Sequence, residues 1–262
     1  MILLYEPADA ERNREFIREL ERFGDFDLLL WDDWSIAGLS ALAAKLSGFT
    51  VLNRTRQPGA MRFLEDHGVR LMNRAEVNRI ANDKWQSFGL LTLLGVPAIP
   101  TYREPQAYPC VMKPVGGHGG HGVDIIHSPA EIPAFAPPLV FQPIVEHNGD
   151  VRAYVIGGKV VVAVKRSSAE SFKANYTLGG EAAKYELSAA QEQDVFRIAR
   201  ALKSDYVGID FLLLPDGRHV FNEIEDPVGA RSFYATHDEN IAELLVEHVR
   251  ELERQHPFRP SE

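Results

Sequence analysis

Short apolar runs and amphipathic stretches alternate along the first third of the chain. Residues 2–5, 28–31 and 50–53 are compact apolar runs of strand length, and residues 9–23 and 35–46 carry apolar side chains at helical spacing. This βαβαβ cadence predicts a small parallel sheet covered by helices, continued through 62–67 and 69–72. The pattern changes near Asn73. A long helix is predicted over 76–94, ended by Gly95 and Pro97. Beyond Pro100 the runs become β-branched, as in antiparallel sheets, at 110–113, 123–126 and 140–142, followed by a hairpin of 151–156 with 159–165 across Gly157-Gly158. A helix over 189–202 and another over 238–253 complete the pattern. There is no internal repeat or low-complexity tract.

The chain has 262 residues, 45% of them hydrophobic and 25% charged, enough for a sizeable core and more than one lobe. A net charge of −9 with no Lys/Arg run disfavours a nucleic-acid partner. One cysteine, Cys110, excludes an internal disulfide and a cysteine-rich zinc site. Its apolar neighbours indicate a packed, inert thiol, and a reducing, cytoplasmic compartment is the default expectation. The apolar run at Met1 is too short for a signal peptide, and no stretch approaches the roughly 20 apolar residues of a membrane span.

Two segments carry chemistry. The first runs from Gly208-Ile-Asp210 through Pro215-Asp216-Gly217 to Asn222-Glu223-Ile-Glu225 and reads as strand, turn, strand. A two-residue turn at Asp216-Gly217 places Leu212 opposite Phe221 and Asp210 opposite Glu223, with Glu225 on the same side. A three-residue loop with a glycine bulge places Asn222 opposite Asp210 instead. Three converging acids in a hydrophobic hairpin call for a hard cation, Mg²⁺ or Mn²⁺, completed by phosphate oxygens. Otherwise the hairpin is a solvated one whose acids face water.

The second segment is Lys113-Pro-Val followed by Gly116, Gly117, His118, Gly119, Gly120, His121 and Gly122, between two strands. Its backbone N–H groups can approach a polyphosphate. Lys113 precedes the glycines and no helix follows, so neither a Walker A loop nor a Rossmann fingerprint is present. His118 and His121 have no third imidazole or thiolate nearby, which disfavours zinc.

With Phe141-Gln142-Pro143-Ile144-Val145-Glu146, Gly149-Asp150-Val-Arg152 and Lys165-Arg166, these motifs resemble the ATP-grasp superfamily, closest to RimK-like ligases, from about Val51 to Val249. The resemblance implies an α/β (α+β) fold with an N-terminal parallel-sheet lobe over 1–75 and two antiparallel-sheet lobes, 76–145 and 146–262, clasping the nucleotide. It implies ATP with Mg²⁺, and small-molecule or peptide carboxylate and amine substrates joined through an acylphosphate. Dimerisation is common in that family.

Residue by residue, the resemblance puts Lys84 and Lys113 at the nucleotide and makes Gly119, Gly120 and Gly122 part of a lid. It puts Gln142, Pro143, Ile144 and Val145 on the adenine hinge, and Asp150 near the ribose. Lys173 and Asn175 stand at the γ-phosphate and acyl group, Arg166 or Arg231 at a substrate carboxylate, and Asp210, Glu223 and Glu225 at the metals. In that comparison the match of Asp210 and Glu223 favours the two-residue turn. Glu225 departs from the family's asparagine. A kinase acting on a hydroxyl, a nucleotide-binding module without chemistry and a nucleotide-free metal hydrolase are the alternatives.

Overall fold

The computed structural model describes residues 1–117, 119–167 and 181–255. The chain opens with β1 (Ile2–Tyr5), α1 (Pro7–Arg12), α2 (Arg14–Phe23), β2 (Asp27–Leu30), α3 (Ile36–Leu46), β3 (Thr50–Asn53), α4 (Pro58–Asp66) and β4 (Arg70–Met72). The strands form a parallel sheet in the order β2-β1-β3-β4, as the cadence predicts. Where the spacing predicts one helix over 9–23 there are two, broken at Asn13, whose side chain donates to the Asp9 carbonyl.

The helix predicted over 76–94 is also two, α5 (Ala75–Ala81) and α6 (Lys84–Leu94). The Asp83 carboxylate accepts the N–H groups of Trp85 and Gln86 and so starts a new helix. Gly95, in the left-handed conformation, ends it.

Next, β5 (Cys110–Pro114), β6 (Asp124–Ile126) and β7 (Leu139–Pro143) form an antiparallel sheet in the order β6-β5-β7, the glycine-rich loop joining β5 to β6. The largest sheet is antiparallel in the order β10-β9-β8-β11-β12. It comprises β8 (Asp150–Ile156), β9 (Lys159–Ser167), β10 (Glu181–Tyr185), β11 (Tyr206–Leu213) and β12 (His219–Glu225). Three helices accompany it: α7 (Ala189–Leu202), α8 (Arg231–Tyr234) and α9 (Ile241–Gln255).

Alternation assigns the two faces of this sheet. Ala153, Val155, Val207, Ile209 and Phe211 pack with α5, α6 and α7. The intervening Tyr154, Ile156 and Tyr206 join a core that reaches into the N-terminal layer through Leu3, Tyr5 and Phe16, and into α9 through Leu245 and Val246. Asp150 and Arg152, in phase with Tyr154, and Asp210, in phase with Tyr206, therefore lie on that second side. Cys110 is buried in the small sheet, and burial pushes its thiol up, as expected of a packed cysteine. Among the described residues no helix is long and apolar enough to cross a membrane.

Candidate functional site

The β11–β12 hairpin differs from both alternatives read in the sequence. The Leu214 N–H donates to the Arg218 carbonyl at 2.9 Å and Gly217 sits at φ +84°, so the turn is the three-residue form. Leu212 accordingly pairs with Val220, not Phe221. That turn alone would bring Asn222 to Asp210. A second bulge intervenes: Phe211 pairs with Phe221 and Asp210 with Glu223, leaving Asn222 over. The physical reason is burial. Phe221 and Ile224, three residues apart, both enter the core beneath β11, and strict alternation cannot put both on one face. The extra residue restores the phase, and Asn222, Glu223 and Glu225 all border the cleft.

One oxygen from each of Asp210, Glu223 and Glu225 lies within 4.8 Å of the others. The three acids are not equivalent. Arg152, the cross-strand neighbour of Asp210, donates Nε to Oδ1 at 2.8 Å and Nη2 to Oδ2 at 2.7 Å. Arg166 Nη2 adds a third bond to Oδ2 at 2.7 Å. Burial pushes Asp210 up, but the two guanidinium groups outweigh it and hold the carboxyl below its ordinary range. Glu223 has no such arginine partner among the described residues. Burial, then the Glu225 and Asp210 charges, push it up to about 7 against the pull of Lys84 and Lys113. An all-oxygen acidic set in which the Glu223 charge is disfavoured without a cation fits Mg²⁺ or Mn²⁺.

Arg166, expected at a substrate carboxylate, borders the cleft with its guanidinium already engaged. Its guanidinium is buried and bonded to Asp150 through Nε at 3.1 Å and through Nη2, as well as to Asp210. Asp150 borders the cleft but is the partner of Arg166, and burial raises its carboxyl to about 6 against that pull. Lys173 and Asn175 lie outside the described residues, as does His118.

Two lysines border the same cleft and act on Glu223. Lys113 Nζ donates to Asn222 Oδ1 at 3.3 Å, and burial lowers its ammonium to about 8. Lys84, at the first turn of α6, donates Nζ to the Gly117 carbonyl and its backbone N–H to the Val115 carbonyl at 3.0 Å. The break that creates α6 thus ties this lysine to the loop. Gly119, Gly120 and Gly122 all have positive φ, from +64° to +77°.

Glu223 and Glu225, both lysines and Gly117, Gly119 and Gly120 of this loop line one cleft of about 790 Å³, and Asp210 is fully buried beside the two glutamates. Gln142, Pro143, Ile144 and Val145 border it too, near Ile99, Val111 and Leu212. The Gln142 side chain is engaged, donating to Thr101 Oγ1 at 2.8 Å.

The N-terminal layer supplies the other wall. Arg54 is buried, its Nε donating to the Tyr5 hydroxyl at 3.2 Å and its Nη2 to the Val228 carbonyl at 2.7 Å. Arg56 lies 3.5 Å from Asp9 and retains 21% exposure, and Arg231 is exposed at the edge. Asp226 is buried, its two oxygens accepting from Asn73 and Asn78 at 2.9 Å each while Asn82 donates to its carbonyl at 2.8 Å. These bonds join the end of β12 to the segment that carries Lys84. Sequence reasoning gave no role to Arg152, Asn222 or Asp226. A signal for Arg152 was present, since Asp150-Val-Arg152 puts a cation and an anion on one face of a strand.

A family model described as a RimK-like ATP-grasp domain matches residues 95–249. The protein MG011 of Mycoplasma genitalium, described as uncharacterized, is 30% identical over 255 residues, covering 91% of this chain and 88% of that protein. N-acetylaspartylglutamate synthase A of Homo sapiens is 27% identical over 215 residues, covering 73% of this chain and 55% of that enzyme. The ATP-grasp ligase PsnB, solved with minimal precursor, Mg and ADP, superposes with a TM-score of 0.67 at 16% identity, over 97% of this chain and 98% of that one. The matched region contains the glycine-rich loop, both halves of the acidic hairpin and the arginines that buttress it, and the chain belongs to the RimK-like ATP-grasp family.

Proposed function

We propose that this protein is an ATP-dependent ligase that joins a carboxylate to an amine, of the amino-acid or peptide class, through an acylphosphate, with release of ADP and phosphate. The observation that carries this reading is the meeting in one cleft of Glu223 and Glu225, clustered with the buried Asp210, with two lysines, a glycine loop and the arginines Arg54, Arg56 and Arg231. Asp210, Glu223 and Glu225 would hold Mg²⁺, or Mn²⁺ in its place. When bound, Mg²⁺-ATP supplies the phosphoryl group that converts a carboxylate from a poor acyl donor into a good one.

The chain's own residues then have distinct tasks. Lys113 and Lys84 present positive charge to the phosphates in the cleft they share with the acids. The loop of Gly119, Gly120 and Gly122 offers backbone N–H groups and excludes water, which an activated acyl group must not meet before the amine. Ile99, Val111, Ile144 and Leu212 form an apolar slot suited to the adenine base, with the backbone of Pro143 to Val145 at its edge. Arg56 and Arg231 give the far wall the charge to hold a substrate carboxylate. The relative named as a synthase of N-acetylaspartylglutamate favours amide formation over phosphorylation of a hydroxyl.

The test is an ADP-release screen of amino acids and small peptides with Mg²⁺, run beside Lys113→Ala and Glu223→Gln. ADP release that requires both an acid and an amine, and that both substitutions abolish, is expected. A phosphorylated product without an amide, or full activity in either variant, overturns the reading.

A further inference from the structure

Arg152 makes contacts that ligation chemistry does not by itself require. Its side chain crosses from β8 to β11 and covers both oxygens of Asp210, and its Nη2 also reaches Glu225 Oε1 at 3.1 Å. An ionised carboxylate offers about four lone-pair sites, and on Asp210 three are taken by Arg152 and Arg166. A small divalent cation binds such an oxygen at about 2.0–2.1 Å and tolerates little distortion.

The backbone beneath Arg152 is shaped for this path. Gly208, an ordinary extended residue in the middle of β11, has no side chain for a steric reason. A Cβ there would lie 3.2 Å from Arg152 Cδ, 3.3 Å from Arg152 Nε and 2.7 Å from Val228 Cγ2. A side chain there would clash with Val228 and press on Arg152 along the stretch that reaches Asp210. Glu225 is the second anion that Arg152 holds.

We propose that Arg152 is the resident counter-ion of the metal-binding acids, competing with the divalent cation for Asp210 and Glu225 and released from Asp210 when the cation binds. The inference rests on the metal reading of Asp210, Glu223 and Glu225. Arg152 keeps the acidic cluster compact and charge-balanced, and its release turns a guanidinium toward the anionic contents of the cleft. Cation and anion uptake are thereby coupled, because each favours the same position of Arg152.

The sign of one measurement separates this role from plain positioning. Binding of Mn²⁺ alone, followed by electron paramagnetic resonance without nucleotide, is expected to tighten roughly tenfold in Arg152→Met, since a nearby positive charge is removed. Arg152→Lys, whose single ammonium cannot cover both oxygens, should fall between that variant and the wild type. A residue that merely positioned Asp210 would give weaker binding when lost.

The wild-type chain supplies a second readout that needs no folded variant. The Nε–H resonance of Arg152 should move when Mg²⁺ is added without nucleotide. Unchanged or weaker Mn²⁺ binding in Arg152→Met, or an Nε–H resonance unmoved by saturating Mg²⁺, overturns the inference while leaving the metal site intact. Failure of the wild type to bind Mn²⁺ overturns the inference and the metal reading together.

Discussion

Two acids of one cluster should respond to neutralisation with opposite signs. Asp210 is fully buried and receives three charge-assisted bonds of 2.7–2.8 Å. Removing one partner of a buried ion pair costs about 3–5 kcal/mol. Arg152 retains Glu225 and Arg166 retains Asp150, so the lower end applies and Asp210→Asn should cost about 3 kcal/mol. At about 2–4 °C per kcal/mol for a chain of this size, Tm should fall by about 6–12 °C.

Glu223 is the reverse case. Its carboxyl is raised from 4.5 to about 7 by burial and by the neighbouring acids. At about 1.4 kcal/mol per pKa unit, removing the charge would relieve at most about 3 kcal/mol above pH 7. The side chain is only partly enclosed, and solvent screening leaves about 1–2 kcal/mol. Glu223→Gln should therefore raise Tm by about 2–8 °C. The assay is thermal unfolding at pH 8 in chelator without nucleotide. Equal destabilisation of both variants would refute the reasoning. A practical consequence follows: lost turnover in Asp210→Asn mixes a lost ligand with a weakened fold, whereas lost turnover in Glu223→Gln does not.

Further outcomes are expected from the same geometry. Because Glu223 and Asp150 are raised, to about 7 and about 6, the folded protein binds protons that the unfolded chain does not between the ordinary carboxylate range and those values. Their stabilising contribution is present at low pH and lost as pH rises through 6 to 7; chelator-treated protein should lose Tm over that interval, and Mg²⁺ should flatten the slope. No change of slope with Mg²⁺ would count against the metal site. Phe233 is fully buried, packs edge-on to Tyr154 at 5.5 Å and belongs to the core shared by the first and last segments. Phe233→Ala should cost about 3–5 kcal/mol in urea unfolding, and a cost under about 1 kcal/mol would contradict that shared core. Arg56→Ala should raise the KM for the carboxylate substrate and leave that for ATP unchanged; a rise confined to ATP would move Arg56 to the nucleotide.

Much of the chain was legible where a signal is local. The helix expected over 189–202 is α7, Ala189–Leu202, and the structure shows Ser188 and Gln191 forming a reciprocal cap at its start. The first sheet read correctly because each of its strands is a short apolar run between helical stretches. The helix predicted over 76–94 is too long because periodicity runs through Asn82-Asp83, although Asp83 carries the capping chemistry that divides it. The edge strand β10, largely exposed and polar, and the four-residue α8 have too little apolar pattern to stand out.

The acidic hairpin marks the boundary between the two kinds of information. Pro215-Asp216-Gly217 determined the turn, and by itself it would have sent Asn222 to Asp210. Only the need to bury both Phe221 and Ile224 inserted the bulge that brought Glu223 there. The arginines are the same lesson at longer range. Arg152 and Arg166 are 58 and 44 residues from Asp210 in sequence, and nothing local pairs them with it. By itself the sequence determined the strands and helices, the glycine loop and the acids from which a site could be made, because period, capping and composition act over a few residues. Which acid is paired, which is left to a cation and which arginine is already engaged were decided by sheet closure, because charge pairing in a buried layer depends on which strands lie side by side.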